Sequence, residues 1–360
     1  MAERTVIPFG PQHPVLPEPI HLDLVLEDEK VIEALPSIGF VHRGLERLAH
    51  KYEFEELTFV AERICGICSA IHGQGYTQAT EKLLGLEIPR RAEWLRVFWG
   101  ELSRIHSHLL WLGLAADAFG FESLFQHTWR IREAILDIVE ETAGGRVIFG
   151  ACKVGGVRRD VTNDKLKAIS KELKRIEAES REVVETFRND STVRKRNEGI
   201  GMLSKEDAFA LGAVGPVLRG SGTAEDARKL GYAAFDEIDW APTTHDGCDC
   251  WARTLVRLDE VYQSFGIIHQ VIDKLPDGPV DLGKIKAKPE GHHMERLEQP
   301  RGEVCYYLEG NGTRYLERFR VRTPTFANIA PLVHMLKGCD LPDVPVIVLT
   351  IDPCISCAER

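Results

Sequence analysis

Two stretches decide how this chain of 360 residues must fold: ERICGIC at residues 62–68 and DPCISC at residues 352–357. Each stretch carries a Cys-x-x-Cys pair, Cys65 with Cys68 and Cys354 with Cys357, and the pairs stand far apart in the sequence. Four thiolates from two such pairs can hold one soft metal site. If they meet, the C-terminal stretch must enter the interior beside a turn near residue 65, which suggests chemistry rather than a simple staple.

The spacing of the cysteines alone leaves three interpretations open: a structural zinc site, a redox-active metal site, and unrelated thiols. The chain has nine cysteines and no secretory signal at its start, so we expect a reducing compartment and a metal or redox use of the thiols. A zinc clip usually staples a small domain with little core. The ample apolar pattern of this chain therefore shifts the balance towards a reactive metal.

The composition is that of a soluble globular protein, with 44% hydrophobic and 28% charged residues and a formal net charge of −10. No long basic block is present, which argues against a nucleic-acid partner. No uninterrupted apolar run is long enough to span a bilayer, so any membrane association is expected to go through a partner.

Apolar residues recur with helical spacing in four long stretches, which predict helices at residues 89–112, 122–143, 163–188 and 250–275. The third helix is densely charged on one face, which is expected to be solvated or to meet a partner.

Short β elements are predicted near both chain ends. Residues 20–26 and 31–35 read as one β-hairpin, and residues 304–308 and 314–321 as a second hairpin around Asn311-Gly312. The apolar run 344–349 reads as a short strand leading into the second cysteine pair. The predicted fold is mainly α (α+β): one domain over residues 1–360, with a bundle of long helices at its core and small β-hairpins near both ends.

The residues flanking the cysteine pairs resemble the paired signatures of the large subunit of [NiFe] hydrogenases. Further stretches resemble that superfamily, and together they cover nearly the whole chain: GPQHP at 10–14, HRGLE at 42–46, RE at 132–133, GGV at 155–157, GP at 215–216, PRGE at 300–303 and RTPTF at 322–326. The short length and several of these stretches resemble most the energy-converting, membrane-associated branch.

That branch is also similar to the quinone-site (49 kDa type) subunit of respiratory complex I. The complex I relatives lack the metal-binding cysteines, whereas this sequence keeps all four. It also has Leu16 and Pro17 where those relatives place a second histidine after His13. Both observations favour hydrogenase chemistry over quinone chemistry.

The resemblance implies a nickel ion bound by all four cysteines and an iron ion that carries two cyanides and one carbon monoxide. Cys68 and Cys357 would bridge the two metals, and Cys65 and Cys354 would be terminal ligands of nickel. Thiolates are soft, strong donors that suit both metals. Such a centre carries roughly two negative charges, which must be compensated when it is buried.

Three further residues acquire roles by the same resemblance. Arg301 would lie over the open metal position and donate a hydrogen bond to a cyanide; otherwise it is a surface arginine in a Pro-Arg-Gly turn. Thr325 would donate to the second cyanide, since a hydroxyl supplies one hydrogen bond; otherwise it is a turn residue. His72 would contact a bridging sulfur from outside the ligand set; otherwise it is a structural histidine.

Hydrogen splitting needs a base and a proton exit. The resemblance implies that Cys354 takes the proton and that Glu18 is the next acceptor, with a solvated loop glutamate as the alternative. Glu46 matches a magnesium-binding glutamate of many relatives. Those relatives usually end in histidine where Arg360 stands, and arginine cannot ligate a cation. Magnesium is therefore doubtful, and a Glu46–Arg360 ion pair is the substitute hypothesis.

No catalytic or metal-binding role is predicted for the other cysteines or for the paired histidines. Cys248 and Cys250 have no matching second half of a metal site, and their role stays open. Three more cysteines are expected to be small buried fillers: Cys152, Cys305 and Cys339. His292-His293 is expected to lie in a loop.

The resemblance implies the catalytic subunit of an energy-converting [NiFe] hydrogenase, which exchanges electrons with ferredoxin through a partner subunit carrying a [4Fe–4S] cluster. Other complex I-like peripheral and membrane subunits would translocate protons or sodium ions, on the cytoplasmic side of the cell membrane. Two alternatives remain: a soluble cofactor-reducing [NiFe] hydrogenase, and a quinone-site or scaffold subunit with a structural metal.

Overall fold

The computed structural model describes residues 4–14, 16 and 18–360. The expectation that the chain starts without a secretory signal concerns the first three residues, and the absence of a second histidine concerns Pro17. These residues lie outside the described range. The described helices are α1 Leu57–Glu62, α2 Ser69–Leu84, α3 Arg90–Ala118, α4 Glu122–Ala143, α5 Asn163–Asn189, α6 Ser191–Asn197, α7 Lys205–Ala210, α8 Pro216–Arg219, α9 Cys250–Lys274, α10 Pro324–Ala327, α11 Ile329–Leu336, α12 Val344–Thr350 and α13 Ile355–Glu359. The strands are β1 Thr5–Phe9, β2 His21–Glu27, β3 Lys30–Ser37, β4 Cys152–Lys153, β5 Gly156–Val157, β6 Glu290–Gln299, β7 Gly302–Asn311 and β8 Leu316–Arg322.

The four predicted long helices are confirmed as α3, α4, α5 and α9. Helix α3 is central: it packs against α2, α4 and α9, and nearly all of its side chains are buried. The neighbouring helices start on side-chain caps, with Thr162 accepting from the Lys165 N–H before α5 and Asp249 from the Ala252 N–H before α9. The mainly α (α+β) fold class predicted from the sequence is therefore correct.

The N-terminal hairpin is confirmed as β2 and β3, with β1 added as a third antiparallel strand beside β2. The second hairpin is confirmed as β7 and β8, and it too has a third strand, β6. The loop assigned to His292-His293 is wrong, because both residues lie in β6. The first half of β6 is largely exposed on both faces, so its sequence lacks the alternation that marks a half-buried strand.

The strand predicted at residues 344–349 is also wrong, because this run forms helix α12. A short apolar run without alternation is compatible with either a buried strand or a buried helix. Pro345 stands in the first turn of α12, where its missing N–H costs nothing. The helix is buried against α9 and α11 and leads directly into the second cysteine pair.

The prediction of small buried side chains is confirmed for Cys152. It is wrong for Cys305 and Cys339, which are partly exposed. Cys250 is buried at the start of α9, with its Sγ 3.5 Å from Thr350 Oγ1. Cys248 is partly exposed in a left-handed backbone conformation. Within the described residues, neither belongs to a cluster of three or more metal-ligating side chains.

Glu62 is a buried carboxyl at the end of α1, and among the described residues neither of its oxygens has a hydrogen-bond partner. Gly73 of α2 makes room for it: a Cβ at residue 73 would lie 2.7 Å from Glu62 Oε1. Burial raises the pKa of Glu62 to about 7. Over the pH range between the ordinary pKa of 4.5 and this raised value, the carboxyl group is therefore expected to be protonated in the folded state and ionised in the unfolded chain.

The contribution of Glu62 to the stability of the protein should accordingly fall as the pH rises from below 4.5 through about 7, because the folded state holds this proton more tightly than the unfolded state. Glu62→Gln should remove that loss, making the variant relatively more stable at pH 8 by about 3 kcal/mol. Denaturant unfolding at pH 5 and pH 8 measures the difference. Glu87→Gln, at an exposed position, is the control; equal pH dependence of the Glu62 variant and the wild type would contradict the prediction.

Candidate metal centre

The two cysteine pairs meet in the interior. Cys65 lies in the turn after α1, and Cys68 is the N-cap residue of α2. On the other side, Cys354 is the N-cap residue of α13, and Cys357 lies within that helix. The Sγ atoms of Cys65 and Cys354 are 3.3 Å apart, and those of Cys68 and Cys357 are 3.5 Å apart. All four side chains are buried.

The donor set fits a soft metal. Three of the sulfur atoms, those of Cys65, Cys68 and Cys357, lie within 4.8 Å of one another, and this is the one group of metal-ligating side chains found among the described residues. Hydrogen bonds from the neighbouring thiols lower the pKa of Cys65, whereas burial raises the pKa of Cys357. Four thiolates this close repel one another, so a bound cation is what allows all of them to ionise.

Several contacts hold the C-terminal pair against the rest of the fold. Thr325 Oγ1 accepts a hydrogen bond from the Cys354 N–H at 3.1 Å, and Thr323 Oγ1 donates to the Cys357 carbonyl at 3.0 Å. Arg43 donates to the carbonyls of both cysteine segments, at Ile64 and Ser356. The position of Thr325 thus places its hydroxyl beside the Cys354 backbone; whether that hydroxyl also donates to a diatomic ligand stays a prediction.

Arg301 is buried at the site rather than exposed in a turn, with 2% of its surface accessible. Its Nε donates to the Asp352 carbonyl at 2.8 Å and its Nη2 to Asp352 Oδ1 at 2.8 Å, while Nη1 lies 3.3 Å from Ser107 Oγ. Asp352 has a φ of 54°, a left-handed conformation that is uncommon for a residue other than glycine. The two bonds from Arg301 hold this strained residue immediately before Pro353 and Cys354.

Glu18 also reaches the site. Its Oε1 lies 3.5 Å from Cys354 Sγ, and its Oε2 accepts a hydrogen bond from the Ser356 N–H at 2.7 Å. Burial, followed by the negative charge of Cys65, raises the pKa of Glu18 above the ordinary value for a glutamate. A carboxyl group with a raised pKa in contact with a thiol is suited to exchange a proton with it.

His72 is buried in α2 and contacts the sulfur atom of Cys357. Its Nε2 lies 3.3 Å from Cys357 Sγ, and its Nδ1 lies 2.5 Å from the Tyr306 hydroxyl. Burial lowers the pKa of His72 to about 4 and raises that of Tyr306, so the imidazole is neutral and the phenol is protonated. The phenol therefore donates to Nδ1, which leaves the Nε2 proton to donate to the sulfur.

Gly75 makes room for this arrangement, since a Cβ at residue 75 would lie 2.7 Å from the Tyr306 ring. Gly75→Ala should therefore destabilise the protein by about 1–3 kcal/mol through overpacking, although alanine is the better helix former. Denaturant unfolding measures the change.

Gly266→Ala provides the matched control, because Gly266 lies in α9 with no atom within 4 Å of the added Cβ. That variant should be more stable than the wild type by up to about 1 kcal/mol. Equal stabilisation of both variants would show that Tyr306 moves freely and does not fix His72.

Glu46 lies outside the thiol cluster, in an ion-pair network. Its Oε1 accepts from Arg360 Nε at 2.9 Å and from the Val321 N–H at 2.9 Å, and its Oε2 accepts from Arg320 Nη1. The Glu46–Arg360 ion pair suggested as the substitute for magnesium is thus present. Although burial opposes ionisation, these hydrogen bonds lower the pKa of Glu46. A carboxylate that already serves two guanidinium groups is poorly placed to bind magnesium.

Comparison with known proteins places the chain in a family. A family model described as the 49 kDa subunit of respiratory-chain NADH dehydrogenase matches residues 118–288 and 283–360, and one for nickel-dependent hydrogenase matches residues 43–115. The carbon monoxide-induced hydrogenase of Rhodospirillum rubrum is 38% identical over 98% of this chain and 99% of its own length. The chain belongs to the superfamily of [NiFe] hydrogenase large subunits and complex I 49 kDa subunits.

Two further chains that resemble this one come from membrane complexes. The alpha subunit of the membrane-bound hydrogenase of Pyrococcus furiosus is 34% identical over 98% of this chain and 87% of its own length. A chain from the structure of the membrane-bound sulfane sulfur reductase, an archaeal respiratory membrane complex, has a TM-score of 0.94 and 29% identity, covering 99% of this chain and 98% of that one. In the described part of the present protein, no helix is long and apolar enough to cross a membrane.

Reasoning from the sequence missed three residues that organise the site. Asp352 stands in the DPCISC stretch with no role predicted for it, although it accepts a hydrogen bond from the Arg301 guanidinium. Ser107 and Tyr306 contact Arg301 and His72 from elements remote in sequence. For Tyr306, Gly75 was a usable signal, because a glycine in the interior of a helix implies that something approaches closely.

Proposed function

We propose that this protein is the catalytic large subunit of an energy-converting [NiFe] hydrogenase, with residues 1–360 as one functional domain. The observation that carries the proposal is the meeting of four buried cysteine thiols, with the buried Arg301 guanidinium near them and Glu18 in contact with Cys354. A structural zinc site would need only the four thiols. A buried guanidinium and a carboxyl group in contact with a ligand thiol point instead to a reactive centre.

Cys65, Cys68, Cys354 and Cys357 would hold nickel, and Cys68 with Cys357 would also hold an iron that carries two cyanides and one carbon monoxide. When bound, this centre supplies the reversible cleavage of hydrogen into protons and electrons. The Arg301 guanidinium supplies positive charge beside a centre that is negatively charged overall. His72 donates to Cys357 and keeps this sulfur in a fixed orientation.

Cys354 and Glu18 would move the proton. The Cys354 thiol donates towards Glu18 Oε1, while the Ser356 N–H holds Oε2 and so fixes the carboxyl group in the orientation for transfer. The raised pKa of Glu18 means that its carboxyl group holds a proton more readily than an ordinary glutamate does, which suits it to act as a proton acceptor. Glu18 then passes the proton outward.

Electrons would come from ferredoxin through a small partner subunit with a [4Fe–4S] cluster. We further propose that the protein lies on the cytoplasmic side of the cell membrane, held there by complex I-like peripheral and membrane subunits that translocate ions. The support is that two relatives are named as parts of membrane-bound complexes and that each aligns along almost the whole of this chain.

Two other functions remain candidates. A soluble cofactor-reducing hydrogenase would use the same thiols and the same proton-accepting glutamate. A quinone-site subunit with a structural metal is favoured by the match of residues 118–288 and 283–360 to the 49 kDa family model. The four thiols favour a hydrogenase over the quinone-site subunit.

Metal analysis and infrared spectroscopy of the purified complex test the proposal. We expect about one nickel per chain, together with infrared bands from cyanide and carbon monoxide, and hydrogen evolution from reduced ferredoxin. Zinc without these bands would refute the hydrogenase assignment in favour of the structural-metal alternative. Bands and hydrogen turnover with a soluble cofactor but not with ferredoxin would favour the soluble enzyme.

A further inference from the structure

A chain of hydrogen bonds that lies outside the function proposed above reaches the first cysteine pair from the side of α3 and α4. Its members are Arg132 in α4, His106 in α3 and Ile67, which stands between Cys65 and Cys68. Arg132 Nε lies 3.0 Å from His106 Nδ1, and His106 Nε2 lies 2.9 Å from the Ile67 carbonyl oxygen. The chain is therefore continuous from α4 to the turn that carries two of the four thiols.

The direction of these hydrogen bonds follows from the chemistry of Arg132. A guanidinium group carries only N–H donors, so His106 Nδ1 must accept the bond from Arg132. Burial, followed by the positive charge of Arg132, lowers the pKa of His106 to about 3, so the imidazole is neutral and carries a single proton. Because Nδ1 accepts, that proton is on Nε2, which donates to the Ile67 carbonyl.

Ile67 links this imidazole to a thiol. The Ile67 N–H donates to Cys65 Sγ at 3.3 Å, while the Ile67 carbonyl accepts from His106 and lies 3.4 Å from Ser103 Oγ. The N–H and the carbonyl belong to adjacent planar peptide units, so fixing the carbonyl restricts the backbone rotation that would turn the N–H away from the sulfur. A hydrogen bond to a thiolate favours its charged form and tunes the metal that it binds.

The two polar side chains of this chain of hydrogen bonds are kept in the core at a cost. His106 is 1% exposed, and the Arg132 side chain is 13% exposed, with a long ion pair of 3.9 Å to Glu133. Polar and charged groups are expensive to bury, and an apolar pair of similar volume would avoid the expense. Filling space is therefore a poor explanation for an imidazole and a guanidinium at these positions.

We propose that His106 is a positioning residue of the metal centre: through Ile67 it keeps an N–H donor on Cys65, and Arg132 fixes the tautomer of the imidazole that this requires. His72 contacts a sulfur atom directly, whereas His106 acts through the backbone of the cysteine turn. The inference rests on the proposed function only for the identity of the metal, because the positioning concerns the thiols themselves.

Binding of Co²⁺ alone to the full chain tests the proposal, since the absorption of cobalt–thiolate bonds reports on the thiols without any diatomic ligand. His106→Phe fills the space of the imidazole but removes the donor. Loss of such an outer hydrogen-bond partner typically lowers metal affinity by about 10–100-fold, so we expect a loss of at least about tenfold. His106→Gln keeps an N–H close to the place of Nε2 and should retain most of the affinity. A side chain that only fills space would give the opposite order.

Arg132→Met changes the chain of hydrogen bonds at its outer end and does not depend on the folding of His106→Phe. Without the Arg132 donor, the imidazole can carry its proton on either nitrogen. Heteronuclear NMR of the full chain with isotope-labelled histidine should show His106 protonated on Nε2 alone in the wild type. In Arg132→Met it should show a mixture of both tautomers, accompanied by an intermediate loss of cobalt affinity.

Arg130→Met is the matched control, because Arg130 lies in the same helix, is 66% exposed and pairs with Glu179 on the surface. It should leave both the tautomer of His106 and the cobalt affinity as in the wild type. If His106→Phe fails to fold, the comparison of Arg132→Met with Arg130→Met decides.

Equal cobalt affinities of folded His106→Phe and His106→Gln would overturn the proposal, and so would a wild-type proton on Nδ1. The same conclusion would follow if Arg132→Met matched Arg130→Met in tautomer and affinity. Zinc in the purified complex, without infrared bands from cyanide and carbon monoxide, would instead refute the proposed function and leave the positioning role of His106 intact.

Discussion

Replacing Glu18 by glutamine should lower hydrogen turnover by about 10²-fold, because a positioned proton acceptor contributes at least that much to a reaction limited by proton transfer. Glutamine keeps the shape of the side chain and can still accept from the Ser356 N–H, but it cannot take a proton from Cys354. The infrared bands of cyanide and carbon monoxide should stay as in the wild type, because the four thiols are untouched. Turnover by gas chromatography and infrared spectra of the same preparation measure both expectations.

The control for this variant is Glu33→Gln, an exposed glutamate of β3 in the same N-terminal sheet region. It should turn over hydrogen at the wild-type rate. If Glu18→Gln and Glu33→Gln were equally active, Glu18 would have no place in the proton path. Loss of the cyanide and carbon monoxide bands in Glu18→Gln would mean that Glu18 is needed for assembly of the metal centre and not for proton transfer.

Replacing Arg301 by lysine should have a still larger effect, although the charge is kept. Arg301 makes two parallel contacts with Asp352 and a third with Ser107, and a lysine ammonium cannot reproduce this fork. Asp352 would lose the partner that holds its left-handed backbone and would keep a buried, poorly compensated charge. Breaking such a buried pair costs about 3–5 kcal/mol, and loss of charge stabilisation at a reacting centre costs about 10²–10³-fold in rate.

Thermal unfolding, nickel content and hydrogen turnover of Arg301→Lys check these expectations. Arg296→Lys is the control. Arg296 lies in β6, shortly before Arg301 in the sequence, but it pairs with Glu303 at the partly exposed side of that strand. Asp352→Asn should share the defect of Arg301→Lys, since both changes break the same pair. Full stability and turnover in Arg301→Lys would show that charge alone suffices at this position.

The outcome at particular elements shows where prediction from the sequence works in this protein. Helices α3, α4, α5 and α9 were predictable because each buries one stripe over many turns, and a period of 3.6 residues accumulates into a clear signal. Helix α12 was misread as a strand because seven residues buried on most sides carry no period. Strand β6 was missed for the opposite reason, since its first half buries neither face.

The same contrast holds at the metal centre. The sequence by itself determined the four thiols, because Cys-x-x-Cys is a local pattern whose chemistry follows from its side chains. It also pointed to Glu18, Arg301 and His72 through resemblance. Only the tertiary structure decided that Cys354 meets Glu18, that Asp352 and Ser107 hold Arg301, and that Tyr306 orients His72. These contacts join residues tens to hundreds of positions apart, and no local pattern encodes them, because the packing of α2, α3 and the C-terminal segment is what brings them together.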